Sequence, residues 1–426
     1  MQNAREVALN ILYKIEVGEA YSNLVLDKEL NSSDLSKLDK ALASEIVYGV
    51  LTWKLTLDEI VKRYSSIRLK KISPWILNIL RMGIYQIVFL DKIPESAAVN
   101  ESVNLAKKYG HEASAKFTNA ILRKIEKNEY EKLAEYVQSK PYMEEEEISI
   151  MTSHPVWMVS KLIDDYGQDF TIELLKANNK KCETAIRVNT LKTSRDELTK
   201  LFDLKKVEYK VGNLPHSLFV NNLSSFDDVF FVVQDEAAQI AVLKLDPKEN
   251  ETVLDACSSP GGKTTYIASL MNNTGHIDAW DIHEHRVMLV NKMCEKLGVK
   301  NVTACVNDAT IFNPELIEKY DRILLDVPCS GLGVIRKKPD IKWTREENDI
   351  EELIKIQKQI LECGAKYLKQ GGTMVYSTCT VLKDENERQI AIFLKNHSEF
   401  KLDEEIKLFP NVNGTDGFYI VKLQKS

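Results

Sequence analysis

From Asn3 to about Asn128 the apolar residues recur three and four apart, as in Ala4, Val7, Ala8, Ile11, Leu12 and Ile15, and alternation of period two is nearly absent. That spacing predicts an all-α domain. A charged helical stretch continues to about Pro141, and the Glu144 to Glu147 run that follows reads as a linker. The most apolar segment, WILNILRMGIYQIVFL, is interrupted by Asn78, Arg81 and Gln86, which predicts a buried helix rather than a membrane span. Beyond His154, WMVSKLIDDYG and RDELTKLF have helical spacing while AIRVN and LFVNN read as strands, so a small α+β insert is expected. After Gln234 short β runs (TVLDA, HIDAWDI, VTACVND, RILLDVP, TMVYSTC) alternate with helical segments such as EHRVMLVNKMCEKLG and NDIEELIKIQKQILECGAKYLK. Strands alternating with helices predict βαβ units on a parallel sheet. The chain therefore divides at the sequence level into segments 1–140, 141–232 and 233–426.

Composition changes this picture little. The 426 residues are 44% hydrophobic and 28% charged, an ordinary globular balance. The start, MQNAREVALNILYK, becomes charged too early for a secretory signal, so a soluble, cytoplasmic protein with no membrane association is expected. Seven cysteines with no CxxC pair make neither a disulfide framework nor a zinc site, and no metal is expected. The net charge of −6 is uneven: residues 1–140 hold 21 Lys and Arg against 18 Asp and Glu, so the acidic excess lies in the remainder. A basic face in the first segment is thereby permitted.

In parallel sheets ligands bind beyond the carboxyl ends of the strands, and all five predicted strands end in candidate chemistry. After the first comes Asp255 to Thr264, DACSSPGGKT, whose two glycines allow close backbone approach and whose helix start offers unpaired N–H groups. It is not a Walker A loop, since Cys257 stands where the first Gly would be, and GxGxxG is absent. A tight turn with no ligand is the plainer alternative for this loop alone. The second strand ends in Asp281, suited to a ribose diol, and the third in Asp308, suited to an adenine amino group. Either could instead be a helix cap. The fourth runs into Asp326-Val327-Pro328-Cys329-Ser330-Gly331 and the fifth ends Tyr376-Ser377-Thr378-Cys379-Thr380. If these two strands are neighbours, about 5 Å apart, both thiols reach one cleft. Cys182, Cys294, Cys305 and Cys363 are expected to be small buried hydrophobes.

A thiol has a specific use in methyl transfer. Carbon 5 of a pyrimidine is a poor nucleophile, and attack of a thiolate on carbon 6 turns the ring into an enamine that can accept a methyl group. An acid must hold N3, a role that fits Asp326, and Lys263 nearby could favour the thiolate.

The segments CSSPGGKTT, LLDVPCSGLGVIRKKPDIKW, GGTMVYSTCTVLKDENE and DGFYIVKL resemble the motifs of the RNA 5-methylcytosine methyltransferases, in particular the group acting on bacterial small-subunit (16S) ribosomal RNA. The resemblance spans nearly the whole chain, because AREVALNILYKIE and FTNAILRKI are similar to the helical antitermination factor NusB. It implies a NusB-like all-α domain, a small α+β insert and a Rossmann-like class I methyltransferase domain dependent on S-adenosyl-L-methionine. It further implies cofactor contacts from Cys257, Ser258, Ser259, Pro260, Gly261, Gly262, Lys263, Asp281, Asp308 and Asp326, with Cys379 as nucleophile and Cys329 as the thiol assisting release. Two departures are small: Ser258-Ser259 replaces the usual Ala-Ala, and Gly331-Leu332 stands where Ala-Thr is common.

Arg336, Lys337, Lys338, Lys342 and Arg345, with Trp343 as a stacking surface, suit an RNA partner; a solvated loop with Trp343 packed inward is the alternative. Arg63, Arg68, Lys70 and Lys71 could touch phosphates or form ordinary charged surface. An amine methyltransferase would show Asn or Asp before Pro-Pro and an aromatic, and a zinc deaminase would need PCxxC; this chain has neither. A DNA cytosine methyltransferase would use the thiol after the fourth strand. Methylation of another RNA such as tRNA, or a non-catalytic RNA-binding assembly factor, stays open. A monomer is the expectation, although the sequence does not specify the oligomeric state.

Overall fold

The computed structural model describes residues 3–18, 22–221 and 229–426; Asn222, last residue of the expected LFVNN strand, lies outside them. The chain forms two compact units, Met1–Asn179 with Lys337–Thr344, and Lys180–Arg336 with Arg345–Ser426. Among the described residues no helix is long and apolar enough to cross a membrane.

The first unit is helical, as the period of its apolar residues requires. Its centre is the helix Pro74–Phe89, started by Ser73, whose side chain accepts from Ile76 N, and by Pro74 in the first turn. Nearly every side chain of this helix is buried, including the three polar ones that interrupt its apolar run. Each has a partner. Arg81 donates through Nε and Nη2 to the two oxygens of Asp58 (2.7 and 2.9 Å) and through Nη1 to Glu16 (3.0 Å). Asn78 donates to Glu16 (2.6 Å), and Gln86 accepts from Arg5 (2.6 Å) while donating to Met82 O (2.8 Å). The long helix Lys37–Tyr64 packs so closely on this centre that a β-carbon on Gly49 would stand 1.9 Å from the Tyr85 ring.

The Glu144 to Glu147 run is not a linker. It forms the first turn of the helix Glu144–Thr152, where four carboxylates face the positive end of the helix dipole and Glu146 accepts from Met143 N (3.0 Å). A second correction concerns the basic segment 337–344. Lys342 is fully buried and donates to Thr52 O (2.7 Å) and Asn179 Oδ1 (3.2 Å), and Trp343 donates from Nε1 to Leu51 O (2.6 Å). Burial holds the Lys342 amine well below its usual value. Neither side chain is a surface for RNA, because the carbonyls of the kinked helix around Trp53 have claimed both. Arg63 is likewise committed, to the fully buried Glu129 (2.7 Å), whereas Arg68, Lys70 and Lys71 are exposed around the short turn Leu69–Lys71.

The second unit holds two sheets. Strands β1 (Thr184–Val188), β2 (Tyr209–Val211), β3 (Ser217–Val220) and β4 (Phe231–Val233) form an antiparallel sheet in the order β2-β3-β1-β4, with the helix Arg195–Leu204 supplying Leu198 and Phe202 to its core. The larger sheet contains β5 (Thr252–Asp255), β6 (His276–Asp281), β7 (Val302–Val306), β8 (Tyr320–Asp326), β9 (Leu368–Thr378), β10 (Phe400–Leu408) and β11 (Phe418–Lys425). Their order is β10-β11-β9-β8-β5-β6-β7, with all strands running in one direction except β11, which is antiparallel to both of its neighbours. The order reverses between β5 and β8, which opens a crevice at their carboxyl ends.

Both faces of this sheet are covered, so its strands read as continuous apolar runs. Val253, Leu324, Val375 and Ile420 pack on one face with the helices Glu236–Leu245 and Gly262–Leu270. Their neighbours Leu254, Ile323, Leu325, Met374 and Tyr376 pack on the other with the helices Glu347–Tyr367 and Glu387–Asn396. Each such side chain contributes roughly 1.5–3 kcal/mol.

In the first unit, Arg81→Met leaves Asp58 and Glu16 without their cation and should destabilise the protein by about 3 kcal/mol or more. Denaturant unfolding of the full chain measures this, and a loss of under about 1 kcal/mol would show that the triad contributes little.

Candidate active site

The four carboxylates identified at strand ends meet around the loop 255–264. Asp255 closes β5 and is fully buried; its Oδ2 accepts from Thr264 Oγ1 (2.7 Å), while Oδ1 has no hydrogen-bond partner among the described residues. Burial, offset in part by the Thr264 hydroxyl and reinforced by the charge of Asp326, pushes its pKa up to about 7. Ser258, one of the two departures from the family pattern, anchors the loop: its N and Oγ both donate to Trp280 O at the end of β6 (2.8 and 2.9 Å). Gly261 adopts φ +105°, and a β-carbon there would stand 3.2 Å from Val290 Cα, so a residue without a side chain is needed for the turn into the helix Gly262–Leu270.

Asp281 accepts from His283 N (3.0 Å) and Asp308 from Thr310 N and Oγ1 (2.9 and 2.6 Å), in each case through Oδ1 alone. Both are local turn contacts and not helix caps, since the helix Glu284–Leu297 begins at His283 with no side-chain cap and only a turn follows Asp308, and each carboxylate keeps Oδ2 for another donor. The Cys257 thiol is pushed well above its usual value by burial and by the charges of Asp255, Asp326, Asp281 and Asp308. Four carboxylates around one point, beside a helix N-terminus, form a pocket suited to a ligand with a cationic centre, a diol and an amino group. S-adenosylmethionine has all three.

Asp326 closes β8. Its Oδ2 pairs with the Lys263 ammonium (2.6 Å) and its Oδ1 accepts from Ser377 Oγ (2.9 Å). Burial disfavours the charge on Lys263, but Asp326 outweighs burial and raises its pKa, and Cys379 adds in the same direction.

The parallel register of β8 and β9 sets Asp326 opposite Ser377, so the chain segments leaving the two strands run side by side. Cys329 and Cys379 stand with their sulfurs 3.2 Å apart, and Cys379 N donates to the Cys329 sulfur (3.3 Å). The hydrogen bond to Cys379, burial, and the charges of Cys379, Glu385 and Asp326 raise the Cys329 thiol well above its usual value. The segment after Cys329 is held by Gly333, whose N donates to Cys379 O (2.9 Å) and whose O accepts from Gly417 N (2.8 Å). A β-carbon on Gly333 would lie 2.0 Å from Gly417 O.

Of the other cysteines, Cys294 and Cys363 are buried as expected, whereas Cys182 and Cys305 are only partly so. Arg336 faces Asp416 (3.6 Å) and Arg345 donates to Ser330 O (3.2 Å), so both brace this unit. Two residues escaped the sequence reading. Glu385 is fully buried beside Ser330 and Gln357, and its only sequence sign is the run Glu385-Asn386-Glu387 soon after Cys379. Arg187 is buried with no carboxylate partner among the described residues; it donates to Gln234 Oε1 (2.7 Å), Gly262 O (2.5 Å) and Thr265 Oγ1 (3.1 Å). Burial pushes its pKa down to about 9, and it braces the start of the helix after the glycine loop. A charged residue between Ile186 and Val188 in a short apolar strand was the sign available for it.

A parallel sheet with this strand order, carrying an acid-lined crevice and a helix start at its switch point, defines a class I methyltransferase. Three family models match: 16S rRNA methyltransferase RsmB/F over residues 242–424, the NusB family over 2–127, and the RsmF/B-like ferredoxin-like domain over 154–226. The chain is 36% identical to a probable ribosomal RNA small subunit methyltransferase B of Bacillus subtilis, and 34% identical to the ribosomal RNA small subunit methyltransferase B of Photorhabdus laumondii, with 99% of each chain covered in both cases. The crystal structure of PH0851 matches with a TM-score of 0.82 at 28% identity over 98% of each chain. A methyltransferase homologue from Pyrococcus horikoshii matches 66% of this chain and 98% of its own with a TM-score of 0.59 at 29% identity. The protein belongs to the ribosomal RNA small subunit methyltransferase B family. It is an RNA methyltransferase that uses S-adenosylmethionine.

Protonated Asp255 contributes its stability fully below the unfolded value of 3.8 and loses it as pH rises through about 7. The thermal midpoint of cofactor-free wild type should therefore fall, relative to Asp255→Asn, by several degrees across that interval. Parallel curves for the two proteins would mean that the carboxyl is not held protonated.

Proposed function

We propose that this enzyme methylates carbon 5 of a cytosine in 16S ribosomal RNA through a covalent bond between the Cys379 sulfur and carbon 6 of the base. One observation carries the reading: two thiols 3.2 Å apart at the ends of adjacent parallel strands. Lys263, paired with Asp326, supplies positive charge near Cys379 that favours its thiolate.

The thiolate adds to carbon 6 while N3 takes a proton from the hydrogen-bonded Lys263–Asp326 pair, and N3 returns that proton to the pair when the carbon–sulfur bond breaks; Lys263 and Ser377 fix the carboxylate's orientation. S-adenosylmethionine, when bound by residues Cys257 through Lys263 with Asp281 and Asp308, supplies the methyl group that carbon 5 takes. Formation of the carbon–sulfur bond removes the negative charge on Cys379, one of the causes that raise the Cys329 thiol. Cys329 can then lose its proton to solvent and accept the one on carbon 5, while the carbon–sulfur pair returns to Cys379 as thiolate. The resting protonation of both sulfurs is restored.

The segments 1–140 and 141–232 are assigned to RNA binding and 233–426 to catalysis. In the first, Arg68, Lys70 and Lys71 are exposed basic residues available to phosphates.

With substrate RNA, Cys379→Ala should form no complex that survives a denaturing gel, whereas Cys329→Ala should accumulate one; the opposite pattern would exchange the two roles. Bisulfite sequencing of RNA from cells with and without the gene should show one methylcytosine lost from 16S RNA. A loss in tRNA would redirect the substrate assignment, and no loss anywhere would favour a non-catalytic assembly factor.

A further inference from the structure

The carboxylate of Glu385 is fully buried, and among the described residues no cation pairs with it. A buried carboxylate of this kind adds little net stability compared with an apolar side chain of similar volume, so its retention calls for another use. Its side-chain bonds go to Ser330, the residue after Cys329, and to Gln357. Oε2 accepts from Ser330 N (2.9 Å) and from Gln357 Nε2 (2.9 Å), and Oε1 accepts from Ser330 Oγ. The same Gln357 amide donates to Pro328 O (3.0 Å). One carboxylate therefore grips the residue after Cys329 directly and the residue before it through an amide.

The other half of the grip reaches β9. Tyr376 OH, three residues before Cys379, donates to Glu385 O (2.7 Å), and Ser330 Oγ lies 2.7 Å from Thr380 Oγ1. Asn386 fastens the same segment from the opposite side, accepting from Thr378 Oγ1 (2.6 Å) and donating to Thr380 O (3.1 Å). The two segments that carry the sulfurs are held by these contacts and by the Gly333–Gly417 approach, not by a disulfide.

We propose that Glu385 is a positioning residue for Cys329, holding its sulfur where it must stand to complete release of the methylated base. This rests on the assignment of the two thiols above. The charge of Glu385 also helps keep the proton on Cys329 in the resting enzyme.

The test uses the full-length protein, transcribed 16S RNA and labelled S-adenosylmethionine, with turnover, KM for RNA and covalent complex on denaturing gels as readouts. Glu385→Ala should lower kcat about 100-fold through misplacement of one sulfur, leave KM for RNA nearly unchanged, and accumulate complex as Cys329→Ala does. Glu385→Gln should restore most of the turnover. Its amide oxygen can accept from Ser330 N and Gln357, and its NH2 can donate to Ser330 Oγ, whose proton then turns to Thr380. Its pH–rate profile should move toward lower pH, because the charge that keeps Cys329 protonated is gone. Complex in Cys329→Ala but none in Glu385→Ala, or full turnover in Glu385→Ala, would overturn the role of Glu385 alone. No complex in Cys329→Ala would overturn the covalent reading and this proposal together. If Glu385→Ala does not fold, Ser330→Ala, which removes the Oγ link and keeps the N–H, should accumulate complex to a smaller extent, and its failure to do so would equally overturn the role.

Discussion

The parallel pairing of β8 with β9, in the register that sets Asp326 against Ser377, is the constraint from which the chemistry of this protein follows. Parallel neighbours end on the same side of a sheet, so whatever follows each strand is delivered to the same place. Here that is one thiol from each. The sheet can hold this register because both its faces are covered by helices, and a slip of one residue would turn every buried side chain of β8 to the opposite face. The position of two sulfur atoms is thus secured by packing that extends well beyond them.

Electrostatics then separates two sulfurs that are chemically alike. Negative charge is gathered on one side of the crevice, by Asp281, Asp308 and Asp326, and the Lys263 ammonium both pairs with Asp326 and interacts with Cys379. Carboxylates attract a sulfonium donor but would also repel a thiolate, and Lys263 relieves that conflict by pairing with Asp326 (2.6 Å). The hydrogen bond to Cys379, burial and the charges of Cys379, Glu385 and Asp326 push the Cys329 thiol well above its usual value. The asymmetry comes from neighbours, not from the cysteines.

Much of this was legible in the sequence, for identifiable reasons. Helical period in the first segment and short apolar runs between helices in the last are strong signals, and the strand-end residues Asp255, Asp281, Asp308, Asp326, Cys329 and Cys379 could be picked out because parallel sheets place function there. The strands β2 and β4, three residues each, are too short to show a period, and β10 carries Lys401, Asp403, Glu404 and Glu405, so its charge hides it. The burial of Lys342 could not be read at all, and Trp343 packed inward stood only as the alternative. A local run of basic residues with an aromatic looks alike whether it faces solvent or donates to the carbonyls of Leu51 and Thr52, nearly three hundred positions away. Glu385 and Arg187 were missed for a related cause: a charged side chain that serves by being buried gives the opposite of the usual pattern.

The contact between Gly333 and Gly417 reaches beyond its own loop. These two backbones touch where a single added carbon would overlap an oxygen at 2.0 Å, and one of them also bonds the carbonyl of Cys379. Two distant stretches of the gene are therefore tied together at the level of single codons. Drift at either site cannot be absorbed by a change at the other, since neither has a side chain to shorten.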